Sequence, residues 1–423
     1  MGHLLVVESW VGSMSRLLPK ALREGGHEFT FLTRDLSHYL RAAPEGVRHP
    51  LLGARNVITA DTNDIDTLLP VVERLHAALA FDGVISSCDY YLPTVAAVAA
   101  RLGLPGPGAD AVAHACRKDL TRRILEDAGL PGPRFAVVES DDEPGAAEVR
   151  AARGLGFPLV VKPVDLCAGM YVRRVDDEAE LVAACRALAD FPVNARGQHR
   201  PRLVLLEELL DGPEVSVETV SSRGRISVVG VTDKSVAGAP AFIETGHMFP
   251  APLTPTERTA VQETTVAALK ALELTDGVVA HTEIKLTSAG PRVVEVNPRP
   301  AGNRITELVR HVTGVDLAAA AVDVALGREP DLAVRDTGLR SAAIGFLVPE
   351  ADGTLTAVGD DEQLLQEDDV LEVLLPEPGR AVSAAGSNNE YLGHVMAGDP
   401  AGPGARERVE ALLADVRDRM VIR

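Results

Sequence analysis

The sequence predicts a multidomain chain of α/β and α+β class. Three observations carry that expectation. Apolar strand-like runs alternate with helical stretches over the first hundred or so residues. Short strands grouped around single helices follow, up to about residue 300. The pattern then changes after Arg328-Glu329-Pro330, which marks an appended α+β region over 331–423.

The elements follow in chain order. Residues 3–8 form a short apolar run, as a buried strand does. Met14, Leu17, Leu18, Ala21 and Leu22 recur at helical spacing, and Gly25-Gly26 ends that helix. Residues 29–32 and 83–87 read as further strands, with a helix over 92–102. This alternation fits a Rossmann-like domain over 1–110. No Gly-x-Gly-x-x-Gly turn follows the first strand, so dinucleotide binding is not assigned. A helical stretch from Asp110 to about Ala128 lies between two Gly/Pro breaks and makes a linker over 111–133. A small α+β unit over 134–210 has strands at 134–138, 158–163, 171–175 and 203–208, a helix over 177–190, and an Arg/Gly/Pro-rich loop at 194–202. A further unit over 211–330 has strands at 214–221, 225–232, 278–286 and 292–297. Its helix near 255–273 opens with Thr254 as N-cap and Pro255 in the first turn. Strands at 341–348, 370–375 and 391–397 and a helix over 404–418 complete the chain.

Composition sets limits on function. The 423 residues are 46% hydrophobic and 24% charged, ordinary values for a globular chain that needs no disulfide or metal to fold. The net charge of −19 opposes long-range attraction to nucleic acid or anionic membrane. An anionic ligand must therefore be held by a few local cations and backbone N–H groups. Cys88, Cys116, Cys167 and Cys185 form no CxxC pair and read as reduced thiols of an intracellular, cytoplasmic protein. The N-terminus lacks the basic region of a secretory signal, and no apolar run is long enough to span a bilayer.

The strongest chemical pattern is His281-Thr282-Glu283-Ile284-Lys285 followed by Glu295-Val296-Asn297-Pro298-Arg299, joined through the turn at 288–291. A hairpin would place Glu283, Glu295 and Asn297 on one face, because strand side chains two apart point the same way. Two carboxylates and an amide oxygen suit magnesium held together with nucleotide phosphates. Arg299 follows and suits a phosphoryl group or carboxylate. The same segment alone also fits a solvated face paired to Lys285 or Arg292, or a zinc site using His281 and Glu283 without a third soft ligand.

Four further segments carry weaker signals. Lys162 sits inside the apolar strand Pro158–Pro163, before a small-residue loop with Ala168 and Gly169 that could cradle phosphate, or it simply snorkels from a strand edge. Glu207-Glu208-Leu209-Leu210 ends a strand, and Glu214 follows a tight turn; this hinge could meet an adenine edge and ribose hydroxyls, or be an ordinary strand–turn–strand. Arg117-Lys118-Asp119-Leu120-Thr121-Arg122 alone reads as a solvated helix end, and Glu244-Thr245-Gly246-His247 as a loop over a pocket.

Taken in order and spacing, these segments resemble the ATP-grasp superfamily of carboxylate–amine ligases. The resemblance spans nearly the whole chain, and the Glu-and-Glu-x-Asn pair is its most specific part. Glu244-Thr245-Gly246-His247 and Asn297-Pro298-Arg299 are similar to the L-amino-acid ligases, which make dipeptides. The resemblance implies an ATP-grasp fold, with 134–210 as a lid and 211–330 as the catalytic subdomain. It implies ATP and two Mg2+ ions, with Mn2+ as a substitute. Lys118 and Lys162 would contact phosphates; Glu207 would accept the adenine amino group, Leu210 would offer backbone to the ring, and Glu214 would hold ribose. Glu283, Glu295 and Asn297 would bind the metals, Arg299 would face the transferred phosphoryl or substrate carboxylate, and His247 would line the acceptor pocket. The loop Asp165–Tyr171 departs from the family in being poorer in Gly and Ser, with Leu166 and Met170 stiffening it. The implied activity is ADP-forming amide synthesis from small-molecule carboxylate and amine substrates, with no nucleic-acid or membrane partner, in an enzyme class where homodimers are common. A carboxylase-like or nucleotide-biosynthetic ligase, and a non-catalytic ATP-binding protein, remain as alternatives.

Overall fold

The computed structural model describes residues 1–41, 49–139, 145–237, 240–358 and 361–423. The N-terminal unit is a parallel sheet of β1 (His3–Val7), β2 (Glu28–Thr33), β3 (Asn56–Thr59) and β4 (Gly83–Ile85), in the order β3-β2-β1-β4. Every residue of β1 is buried, as expected of a parallel strand covered on both faces. The sequence reading missed β3 and the helix Ile65–Leu79, whose Asp64 cap accepts from the amides of Asp66 and Thr67. The linker helix is two helices, Ala109–Ala115 and Lys118–Asp127, with Cys116 and Arg117 between them.

The unit over 134–210 is an antiparallel sheet of β5 (Phe135–Glu139), β6 (Leu159–Pro163), β7 (Arg173–Val175) and β8 (Leu203–Glu208), ordered β5-β8-β6-β7. One face packs Leu159, Val161, Val204 and Leu206 against the helices Ala146–Leu155 and Glu178–Ala189. Strand alternation sends Val160, Lys162 and Glu207 to the other face, which looks onto the large cleft.

The remaining strands are β9 (Glu214–Ser222), β10 (Arg225–Val236), β11 (Glu244–Phe249), β12 (Val278–Thr287), β13 (Gly290–Asn297), β14 (Ser341–Leu347), β15 (Gly353–Ala357), β16 (Val370–Leu374), β17 (Ala381–Val382), β18 (Gly393–Asp399) and β19 (Val421–Ile422). Eight of them form one sheet, ordered β13-β12-β9-β10-β11-β14-β18-β16. The region after residue 330 is therefore continuous with the sheet of β9 to β13, because β14 pairs along β11. The reading of Glu244–His247 as a loop is corrected: it is a strand with a partner on each side. Gly246 permits this, since a Cβ there would lie 2.6 Å from the Ile344 carbonyl oxygen. The expected helix Pro255–Ala271 has a complete capping box between Thr254 and Glu257. Two unanticipated helices, Ile305–Thr313 and Leu317–Ala325, join the sheet to the N-terminal unit through a shared apolar core.

Candidate active site

The site begins with the β12–β13 hairpin. Glu283 lies directly opposite Glu295, and His281 opposite Asn297, so all four share one face. β9 pairs on the other side of β12 and places Glu214 opposite Lys285. β10 places Lys234 opposite Glu214. The unit over 134–210 closes over this sheet and brings Lys162 and Glu207.

A cleft of about 630 Å3 runs between them. Lys118, Lys162, Ala168, Gly169, Glu207, Glu208, Leu209, Leu210, Glu214, Glu283, Glu295, Asn297 and Arg299 all line it. A separate hollow of about 510 Å3 near Phe249, Arg258 and Arg335 contains none of them.

His247 is the exception among the expected residues. Its ring is buried in the β-sheet packing, edge-on to Phe346 at 5.5 Å, and is absent from the cleft lining. Nε2 lies 3.2 Å from Glu244 Oε2, but neither ring nitrogen makes a well-aligned hydrogen bond. The expectation that His247 lines the acceptor pocket is thus corrected: although His247 pairs across from Lys234, its ring is buried against Phe346 and does not reach the cleft lining. Glu244 occupies the wall instead.

The cleft cations are tied to carboxylates. Lys118 Nζ is 3.0 Å from Glu295 and donates to the Leu166 carbonyl at 2.5 Å. Lys162 and Arg122 both bind Glu207, each at 2.5 Å. Arg122 also donates to the carbonyls of Val293 and Val294, which joins the linker helix to β13. The solvated reading of 117–122 is therefore overturned: Asp119 and Arg122 are buried. Burial opposes the Glu207 charge, but Arg122 and Lys162 outweigh it and take the carboxyl down to about 2. Each Glu207 carboxylate oxygen thus has a cationic partner, Oε1 with Arg122 and Oε2 with Lys162.

Lys234 is the residue that sequence reasoning missed. It is buried and lies 2.9 Å from Glu214, 2.9 Å from Glu244 and 2.8 Å from Glu283. Burial disfavours its charge, yet these three carboxylates hold its pKa well above the usual lysine value. Glu283, despite burial, is held below the usual carboxylate range by Lys234 and then His281. His281 contacts Glu218 at 2.9 Å and Glu283 at 3.3 Å, and these raise it to about 9 against the effect of burial. Lys285 turns to Glu214 and the Gly212 carbonyl, not to the hairpin acids, so the hairpin face is not the solvated one. Among the described residues no group of three or more His, Cys, Asp or Glu is arranged to hold a metal. Both ring nitrogens of His281 face carboxylates, Glu218 and Glu283, so the zinc reading gains no soft third ligand. The oxygen set of Glu283, Glu295 and Asn297 does fit magnesium, provided that phosphate oxygens and water complete its shell.

The loop before β7 reaches the far wall. Ala168 and Gly169 both adopt left-handed backbone, at φ 56° and 66°. The Ala168 carbonyl accepts from the Asn388 amide at 3.1 Å, so the C-terminal region touches this loop directly.

Family comparisons agree with this architecture. Residues 155–307 match the ATP-grasp domain, and 20–106 the ATP-grasp N-terminal domain. The chain belongs to the ATP-grasp superfamily. Residues 345–421 of this ATP-grasp chain match the L-amino acid ligase C-terminal domain 2. The crystal structure of L-amino acid ligase from Bacillus licheniformis superposes with a TM-score of 0.79 at 24% identity, covering 100% of this chain and 98% of that one. An uncharacterised protein of Sinorhizobium fredii is 28% identical over 95% of this chain and 82% of its own length. Human carnosine synthase 1 is 29% identical over 79% of this chain; the match spans 41% of that longer protein.

Proposed function

We propose that the protein is an ADP-forming ligase that joins a small carboxylate, such as an amino acid, to an amine through an acyl phosphate. The observation that carries the reading is the opposed pair Glu283 and Glu295, with Asn297 beside them, in one cleft with Lys118, Lys162 and Arg299. The similarity to carnosine synthase 1 and to an L-amino acid ligase supports amide formation as the reaction type.

The chemistry follows from the residues. A carboxylate acylates poorly because oxide is a bad leaving group. Its oxygen attacks the γ-phosphorus of ATP, the bond to the β-phosphate oxygen breaks, and ADP leaves. The amine then attacks the acyl carbon, inorganic phosphate departs, and the amine loses a proton. Lys118 and Lys162 hold the phosphates, and Arg299 faces the group in transfer. Glu207 anchors Lys162 and Arg122; Glu214 takes the ribose; the backbone of Glu208 to Leu210 meets the base. Glu283, Glu295 and Asn297 would hold two Mg2+ ions, which would supply charge neutralisation on the phosphates. The unit over 134–210 excludes water that would hydrolyse the acyl phosphate.

The test is release of ADP and phosphate from ATP against a panel of amino acids and amines. Release that requires one particular pair supports the ligase. Release with bicarbonate alone supports a carboxylase-like enzyme, and ATP binding without release supports a non-catalytic role.

A further inference from the structure

The N-terminal unit sends one acidic side chain into the cleft wall. Asp89 follows the C-terminal end of β4, where ligand crevices of doubly wound sheets lie. Its Oδ1 accepts from Arg299 Nε at 2.7 Å, and its Oδ2 from Trp10 Nε1 at 2.7 Å. Both carboxylate oxygens are thus engaged, each by a directional N–H donor. Arg299 Nη1 donates to the Pro300 carbonyl at 3.0 Å. Nη2 has no protein acceptor among the described residues.

Trp10 is itself fixed. Its amide donates to Ser87 Oγ at 3.2 Å, and its ring meets Tyr90 at 5.7 Å between centroids. The Arg196 guanidinium lies 5.8 Å from the ring centroid, and it bonds the Ser9 carbonyl. Arg196 belongs to the loop over 194–202. Asp89 therefore stands in a chain that runs from that loop through Trp10 to Arg299.

We propose that Asp89 is a positioning residue for the ligation reaction. It orients the Arg299 guanidinium so that Nη2 meets the group in transfer, while Trp10 fixes Asp89 in turn. This rests on the ligase reading of the same cleft. The geometry separates it from a plain ion pair. A guanidinium held at Nε by one carboxylate oxygen, with Nη1 on a carbonyl, has a fixed plane and one free edge. The sequence distance is large: the two residues are 210 positions apart, so the N-terminal unit supplies orientation that the catalytic sheet does not.

The test compares Asp89→Asn, Asp89→Glu and Trp10→Phe with the wild type, in ADP release with the best acid–amine pair. An amide at 89 offers one acceptor and turns an N–H toward one of the two donors. Asp89→Asn is expected to lower kcat about 100-fold, the cost of a misplacement near 1 Å, with the KM for ATP moving less than about 2-fold. Asp89→Glu restores part of kcat. Trp10→Phe removes the Nε1 donor together with part of the ring beside Tyr90 and Arg196, and lowers kcat about 3- to 10-fold. Should Asp89→Asn fail to fold, Trp10→Phe decides alone. Wild-type kcat in Asp89→Asn, or in Trp10→Phe where it decides, overturns the proposal and leaves the ligase reading intact. A folded Asp89→Asn that raises the KM for ATP as much as it lowers kcat, with no rescue by Glu, also overturns it. A wild type that releases no ADP with any pair overturns the ligase reading and this proposal together.

Discussion

Replacing Glu207 by Gln is expected to destabilise the protein in a pH-dependent way. Glu207 is 3% exposed and binds both Lys162 and Arg122, so solvent screening is small. Its carboxyl lies at about 2, against an ordinary 4.5. At 1.36 kcal/mol for each pH unit, that gap corresponds to about 3 kcal/mol. The folded pKa is depressed, so this stability is fully present above pH 4.5 and is lost as pH falls toward 2. At pH 3 about 1.5 kcal/mol of it remains. Gln also leaves two buried cations without their anion, a change of about 3–5 kcal/mol for a broken buried pair. The assay is urea denaturation of wild type and variant, followed by circular dichroism, at pH 7 and at pH 3. The wild-type advantage should be at least about 3 kcal/mol at pH 7 and shrink by about 2 kcal/mol at pH 3. An advantage that stays constant between the two pH values refutes the assigned ion-pair energetics.

Three more outcomes follow from the site. Glu295→Ala should abolish ADP formation while the circular dichroism spectrum stays that of the wild type; normal turnover removes Glu295 from the metal set. Lys234→Met leaves Glu214, Glu244 and Glu283 without their shared cation, and should raise the KM for ATP at least about tenfold and lower stability by about 3–5 kcal/mol; a thermal melt and ATP titration read both. Chelation of Mg2+ with EDTA should weaken ATP binding at least about tenfold, or about 1.4 kcal/mol, by calorimetry, and equal affinity would count against Glu283 and Glu295 holding a metal with the nucleotide.

The hairpin was legible because its information is local. The period of two puts Glu295 and Asn297 on one face, but Glu283 joins them only through the register shift between Glu283 and Ile284, which the sequence does not show. Lys162 was legible for a similar reason, as a charge inside an apolar strand. Lys234 carries the same signal, but its three partners come from β9, β11 and β12, and no spacing in the sequence brings them together. Arg122 looked solvated because its acceptors lie on β8 and β13. The strand β11 was hidden by Gly246, a residue that weakens strand patterns yet is required by the close Ile344 carbonyl. The helices Ile305–Thr313 and Leu317–Ala325 were missed because their faces serve a core shared between units.

The electrostatics of the cleft explain how a chain of net charge −19 can receive a triphosphate. Lys118, Lys162, Arg122, Arg299 and Lys234 are each held by carboxylates from other elements, so their positions are set before a ligand arrives. Two of those carboxylates, Glu295 and Glu283, are the proposed metal ligands. On the proposed reading, Lys118 would pass from Glu295 to a phosphate oxygen, and Glu295 would help to hold the metal. No buried charge is then left alone at either stage, which matters because an unpaired buried ion costs several kcal/mol. Glu207 differs from this pair, since it has no metal to turn to and keeps Arg122 as well as Lys162. It therefore fixes Lys162 on the unit over 134–210, whereas the proposed reading has the hairpin acids change partner.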